Sequence, residues 1–260
     1  MNPDRALITA CVIARDEAEN LGELLPTLRW ADEILALIDD RTTDDSAAVA
    51  TALADRVEVR PFVSFPAFRN LGLDLARFPW VLFVDADERV SPELIAEIKQ
   101  ATAAAASPDA AAGHWIPRHN IIFGRLVRGG GWAPDYQLRL LNRQLARYDE
   151  RRLVHEIVHL DGPAGHLSER LLHFNYASPR EFVDRQAYYT ALEAESLRSE
   201  GVTFRARSLV GQPLRELWRR YVVLGGWQDG PVGLFLCLVL AYYAFKRVRL
   251  VQSSVTRLAA

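Results

Sequence analysis

Ala6 to Ala14 is an unbroken apolar run of strand length, and Asn20 to Trp30 then places Leu21, Leu24, Leu25 and Leu28 on one face at helical spacing. The pair repeats. Ile34 to Ile38 reads as a buried strand ending in Asp39-Asp40, with Asp44 or Asp45 capping a helix that runs through Ala54. Val57 to Arg60 predicts a third strand, Pro66 to Arg77 a helix and Trp80 to Val84 a fourth strand, after which Ser91-Pro92-Glu93 supplies a cap and first turn. Strands alternating with helices predict a doubly wound parallel sheet. An alanine-rich stretch, Ala101 to Ala112, closes this first half.

From Gly113 the texture changes to short alternating segments, Tyr136 to Leu141 and Leu153 to Leu160, interrupted by Gly129-Gly130-Gly131 and Pro134. They predict mixed or antiparallel strands. Gly129 to Trp132 suits either an ordinary turn or a mobile loop. Ser178-Pro179-Arg180-Glu181 opens a helix with apolar periodicity from Phe182 to about Leu197, followed by Leu209 to Leu224 and the very apolar Val232 to Phe245.

With 260 residues, half of them hydrophobic and a quarter charged, the chain is a globular protein, and a net charge of -2 argues against a nucleic-acid partner. Cys11 and Cys237 are distant and lie in apolar stretches, which leaves no disulfide framework or CxxC site and fits a reducing compartment. The first apolar run is broken by Arg15-Asp16-Glu17, unlike a signal peptide. Charge is segregated: residues 201 to 260 hold eight arginines and one lysine against Glu216 and Asp229, a balance of +7 that leaves -9 on the first 200 residues.

Acids gather where a parallel sheet binds ligands, at the carboxyl ends of its strands. Strand one ends in Asp16-Glu17, strand two in Asp39-Asp40 and strand four in Asp85-Ala86-Asp87-Glu88. One acid at a strand end is an ordinary helix cap, but three coincident loops form an acidic rim. Asp85 and Asp87 point the same way if strand geometry persists, close enough to share one hard cation, Mg²⁺ or Mn²⁺. With such an ion the rim becomes a clamp for a pyrophosphate. Neither GxGxxG nor GxxxxGK[ST] occurs, so a dinucleotide dehydrogenase or P-loop enzyme is not expected.

Ala14-Arg15-Asp16-Glu17-Ala18-Glu19-Asn20-Leu21, Ile38-Asp39-Asp40-Arg41-Thr42-Thr43-Asp44, Phe68-Arg69-Asn70 and Phe83-Val84-Asp85-Ala86-Asp87-Glu88-Arg89 resemble family 2 glycosyltransferases of GT-A fold. Gly130-Gly131-Trp132-Ala133-Pro134-Asp135-Tyr136-Gln137-Leu138-Arg139-Leu140 and Val154-His155-Glu156 extend the resemblance to bacterial lipopolysaccharide core glucosyltransferases. The resemblance implies that Asp39 or Asp40 binds nucleobase or ribose, that Arg15, Asp16 and Glu17 wall the nucleotide, and that Arg69 lies near the diphosphate. Asp85 would meet the ribose or the metal, Asp87 would ligate the divalent ion, and Asp135 would be the general base of an inverting transfer. Two positions depart from the family pattern: Asp16 stands where Asn is common, and Arg41 begins a loop that commonly reads Gly-Ser-Thr-Asp.

His155-Glu156-Ile157-Val158-His159 also satisfies HExxH, but that zinc-protease motif needs a helix, whereas Leu153 to Leu160 alternates as a strand and is stopped by Asp161-Gly162-Pro163. His155 is either a metal or phosphate contact or a hydrogen-bonded structural histidine; His114, His119, His166 and His173 are assigned structural roles. The tail's charge-free run of 14 residues is about 21 Å long as a helix, short of a hydrocarbon core of about 30 Å. With Trp218, Arg219, Arg220, Trp227, Tyr242, Tyr243, Lys246, Arg247 and Arg249 around it, the segment suits an interfacial anchor, against a core helix as the alternative.

The expectation is a GT-A-like α/β protein: a doubly wound, mostly parallel sheet, a mixed C-terminal half and a helical tail. Residues 1-175 form the catalytic domain, with 1-112 its nucleotide-sugar half and 113-175 its acceptor half, and residues 176-260 form the tail. The expected function is metal-dependent, inverting transfer from a nucleotide sugar, a UDP-hexose, to a lipopolysaccharide core or other lipid-linked acceptor at the inner, anionic face of the cytoplasmic membrane. A polyprenyl-phosphate glycosyltransferase and a catalytically silent sugar-nucleotide or envelope-binding module are the alternatives.

Overall fold

The computed structural model describes residues 7–103, 110–151 and 157–253. It divides into two compact units, Met1–Arg118 with Asp135–His173 and His119–Pro134 with Phe174–Ala260.

In the first unit, β1 (Ile8–Ala14), β2 (Glu33–Asp39), β3 (Arg56–Arg60) and β4 (Trp80–Asp85) form parallel pairs in the order β3-β2-β1-β4. The connections carry α1 (Ala18–Thr27), α2 (Ser46–Leu53) and α3 (Phe65–Leu75), while a short β5 (Glu88–Val90) and α4 (Pro92–Ala103) follow β4. Side chains alternate across this sheet as a two-residue period requires. Ala10, Val12, Ile34, Ala36, Leu82 and Val84 pack with Leu21, Leu24 and Leu25 of α1 and Leu94 and Ile98 of α4. Cys11, Leu35, Leu37, Val81 and Phe83 share the other cluster with Phe68 and Leu73 of α3. Burial there pushes the Cys11 thiol up to about 12, so it serves as an apolar filler. Gly72 permits the close approach of α3, because a Cβ at that position would lie 2.8 Å from Cys11 Sγ.

The mixed half follows as expected. β6 (Gly113–Ile122) is antiparallel to β7 (Arg125–Val127) and to β8 (Tyr136–Asn142), and β8 is antiparallel to β4. β9 (Ala146–Tyr148) pairs with β10 (Val158–Leu160), and β11 (Ala164–His166) runs parallel to β6. The strand expected over Leu153 to Leu160 is observed at Val158–Leu160, which excludes a helix there; His155 and Glu156 lie outside the described residues. β12 (Leu171–Tyr176) returns antiparallel to β5. β5 has only three residues, too few for periodicity to announce.

The second unit holds α5 (Pro179–Ser199), α6 (Ser208–Leu217), a π-helical turn at Trp218–Val223, a 3-10 turn at Gly226–Asp229 and α7 (Gly230–Ser253). Ser178 Oγ accepts from Glu181 N at 3.2 Å, and the Glu181 carboxylate accepts from Ala177 N at 2.8 Å, a capping arrangement that fixes the start of α5. Ile122, Val127, Tyr176, Phe182 and Leu236 form the core of this unit. Gly225 and Gly230 take φ of 68° and 57°, which separates the π-helical turn from α7. The Val232 to Phe245 segment lies inside α7, where Gly233, Leu236, Cys237, Ala241 and Ala244 are buried. No described helix is long and apolar enough to cross a membrane. The glycine loop is held down: Arg128 N and Gly129 N donate to Asp229 at 2.9 and 2.7 Å.

Candidate active site

The strand order reverses between β1 and β4, and a crevice opens at such a switch beyond the carboxyl ends of the strands. Two rim loops tie each other down. Asp16 sits in the left-handed region at φ 53°, which Asp and Asn tolerate better than most residues. Its carboxylate accepts from Thr43 N at 2.7 Å and Thr43 Oγ1 at 3.1 Å, and the backbone bond from Thr43 holds the Asp16 carboxyl below the usual range. In return Asp44 accepts from Ala18 N at 3.0 Å, and Ser46 Oγ accepts from Glu17 N at 2.8 Å.

Asp39 is buried and engaged. It accepts from Arg41 N and Nε, each at 3.0 Å, and from Arg41 Nη2 at 2.7 Å; Arg15 Nη1 stands 3.9 Å away. Bonding to Arg41 keeps its carboxyl below the ordinary value despite burial. The Arg41 guanidinium also lies over the Phe62 ring, 5.5 Å from its centroid. Asp40 is exposed beside them. A nucleobase or ribose that contacts Asp39 must therefore share it with Arg41.

At the end of β4 a chain of alternating charges begins. Asp85 accepts from Arg69 Nη2 at 3.2 Å and from Arg139 Nη2. Burial opposes its ionisation, but Arg139 and Arg69 outweigh that and hold the Asp85 carboxyl well below the usual range. Glu88, fully buried, accepts from Asp85 N at 3.0 Å, from Arg118 Nη1 at 3.2 Å and from Arg139 Nη2 at 3.5 Å. Arg118 also clamps Asp135 Oδ2 through Nε at 2.9 Å and Nη2 at 2.7 Å, and Gln137 Nε2 donates to Asp135 Oδ1 at 2.8 Å. Asp85 and Asp135 are thus joined through Arg139, Glu88 and Arg118. The neighbouring Asn70 is structural, exchanging bonds with Tyr148 N and O at 2.9 and 3.0 Å.

Asp87, in the turn between β4 and β5, faces His173 of β12, with Oδ2 and Nε2 3.3 Å apart. Among the described residues no three His, Cys, Asp or Glu side chains gather as a metal cluster. One carboxylate and one imidazole nevertheless form a donor set that fits a divalent ion whose remaining positions belong to phosphate oxygens and water. Asp85, with two arginines on it, is less open to an ion than Asp87. His155 lies outside the described residues, whereas His159 is exposed on β10, 3.8 Å from Asp149. Sequence reasoning places His173 in a structural role, reads Glu88 only as part of the acidic rim and assigns no individual role to Arg118 or Arg139.

A family model described as glycosyl transferase family 2 matches residues 9–159, more than half of the chain. The chain belongs to that family. This family 2 glycosyltransferase is similar to the lipopolysaccharide core biosynthesis glycosyltransferase LpsC of Rhizobium meliloti (strain 1021), 27% identical over 92% of this chain and 89% of that one. An uncharacterized glycosyltransferase of Rickettsia felis is 21% identical over 96% of this chain and 91% of its own. Among solved structures, S. aureus TarS 1-349 in complex with UDP aligns over 96% of this chain and 91% of that one, with 15% identity and a TM-score of 0.45. The matched span holds the acidic rim, the charge chain and Asp135.

Proposed function

We propose that this glycosyltransferase moves a hexose from a UDP-sugar to a lipopolysaccharide core or another lipid-linked saccharide at the inner face of the cytoplasmic membrane, inverting the anomeric centre. The chain of charges from Asp85 to Asp135 is the observation that carries this reading, since it ties the donor-side carboxylate and the candidate base into one fixed array. The likeness to LpsC over nearly the whole chain supports the acceptor class.

In the proposed reaction an acceptor hydroxyl attacks the anomeric carbon, its proton passes to an oxygen of Asp135, and the bond from that carbon to the diphosphate oxygen breaks. Asp16, Glu17 and Asp39 border the nucleotide, and Arg69 stands by the diphosphate. Asp87 and His173 would hold the Mg²⁺ or Mn²⁺ ion, and the imidazole favours Mn²⁺. Such an ion would neutralise charge on the departing diphosphate. Arg118 and Gln137 fix where the base stands.

The test incubates purified protein with UDP-hexoses, Mn²⁺ and core-truncated lipopolysaccharide. Labelled hexose should appear in the acceptor with the configuration opposite to the donor's. Asp135→Asn should keep its UDP affinity and lose about 10² to 10⁴ in turnover, the usual contribution of a general base. Near wild-type turnover in that variant removes Asp135 from the mechanism.

A further inference from the structure

α6 and the π-helical turn after it present two rows of unlike chemistry. None of their residues is buried. Val210, Leu214, Trp218 and Val222 recur every four residues with 63, 61, 63 and 42% exposure. Beside them Arg207, Arg215 and Arg219 are exposed, with Gly211 and the exposed Val223 at the other positions of that row. From residue 208 to 223 the one acid is Glu216, half-buried and bonded to Arg220 Nε at 2.5 Å, with Arg219 3.8 Å away. The surface is therefore apolar along one row, cationic along the next and without an exposed acid.

Water does not favour such a row of large apolar side chains, and monomeric soluble surfaces rarely carry one without a partner. A second copy of this chain packed through the same face would cover the apolar row but would offer these arginines no exposed acid. A bilayer rich in anionic lipid meets both rows at once, through acyl chains beneath and phosphates at the headgroup level, where Trp is the preferred anchor. We propose that α6 and the π-helical turn are an interfacial docking element for anionic lipid, with Trp218 at the headgroup boundary and Arg207, Arg215 and Arg219 among the phosphates. This centres docking on the amphipathic α6, none of whose residues is buried, rather than on α7, whose charge-free segment anchors its own unit through Leu236, Cys237, Ala241 and Ala244 and exposes Leu234, Leu238 and Tyr242. The proposal deepens the membrane-facing reading above and rests on it for its purpose, although lipid binding is measured without sugar transfer.

The experiment sediments the full chain with vesicles of phosphatidylcholine alone or enriched in phosphatidylglycerol. Wild type should pellet with the anionic vesicles and stay in solution with the neutral ones. Trp218→Ser and the double variant Arg215→Glu, Arg219→Glu should each weaken partitioning on the order of tenfold or more, with circular dichroism and UDP affinity unchanged. The proposal is overturned if folded wild type ignores anionic vesicles, if both variants bind as wild type does, or if Trp218→Ser merely converts a dimer to a monomer. Transfer to soluble core oligosaccharide without vesicle binding would sink the docking element and leave the transferase reading standing. Vesicle binding without transfer to any acceptor would do the reverse.

Discussion

Arg118 holds two carboxylates at once, donating to buried Glu88 at 3.2 Å and to Asp135 at 2.9 and 2.7 Å. Glu88 also accepts from the backbone N of Asp85, so the residue that anchors the candidate base also anchors the acidic end of β4. A planar guanidinium suits this double task because its fork of donors fixes direction as well as charge.

Replacing that fork should separate catalysis from binding. Arg118→Lys keeps the charge but loses the two-point grip on Asp135, so kcat should fall about tenfold to a hundredfold, the scale of a misplaced catalytic group. The UDP dissociation constant should change little. Steady-state kinetics together with calorimetric UDP titration decide it, and an unchanged kcat would show that Arg118 is only structural.

Glu88→Ala should be among the most destabilising single changes in the first unit. It leaves Arg118 and Arg139 facing a buried gap, and breaking a buried charge network from one side costs about 3 to 5 kcal/mol. Glu88→Gln keeps two polar atoms and should cost less. Denaturant melts of both variants test the order; equal stability of Glu88→Ala and wild type would contradict the network.

Metal dependence should pass through Asp87 and His173. Wild-type UDP affinity is expected to rise with Mn²⁺, and Asp87→Asn and His173→Ala should each lose most of that enhancement while keeping the metal-free affinity. His159→Ala should behave as wild type, since His159 is exposed on β10 and stands beside Asp149 rather than Asp87. Metal-independent binding in all four proteins would remove the ion from the donor site.

The rim carboxylates set an acid limit. Asp16, Asp39 and Asp44 all have lowered pKa values in the fold. A carboxyl depressed by folding contributes stability above its unfolded pKa of about 3.9, and that contribution is lost as the pH falls through the lowered folded value. Stability from these groups should be flat between about pH 5 and 8 and should decline below about pH 4. Asp39→Asn should lower the melting temperature at neutral pH and make the acid-side decline shallower. An acid limb as steep as that of wild type would assign the effect to other groups.

The parallel half was legible because its signals are local: apolar runs that alternate with helical periodicity place β1, β2 and β4, and each of these ends in visible acids. The places of Asp16, Asp39, Asp85, Asp87 and Glu88 at or just past strand ends were legible in this way. The ion pairs of Glu88 with Arg118 and Arg139, and of Arg139 with Asp85, were not, because the partners lie 30 to 54 residues apart along antiparallel pairings that no local period encodes. The approach of His173 to Asp87 was hidden for the same reason, since β12 brings the two together by pairing with a three-residue strand. In the tail, hydropathy points to α7, whose apolar segment buries Gly233, Leu236, Cys237, Ala241 and Ala244 and exposes Leu234, Leu238 and Tyr242, whereas α6 buries none of its residues. The length of an apolar run says little about whether water or protein faces it.

The mutual ties between the loops after β1 and β2 also bear on how fast a donor can be captured. Thr43 on Asp16, Ala18 on Asp44 and Glu17 on Ser46 cross-brace the two segments, so the rim proposed to take the nucleotide is held in shape by the chain's own bonds. A ligand that enters a braced mouth spends none of its interaction energy on ordering it, and encounter leads directly to a seated complex. Cutting one brace, as in Asp44→Ala, which removes the acceptor of Ala18 N, should therefore appear first as slower nucleotide association with a broader spread of bound poses, even where every residue proposed to touch the ligand is intact.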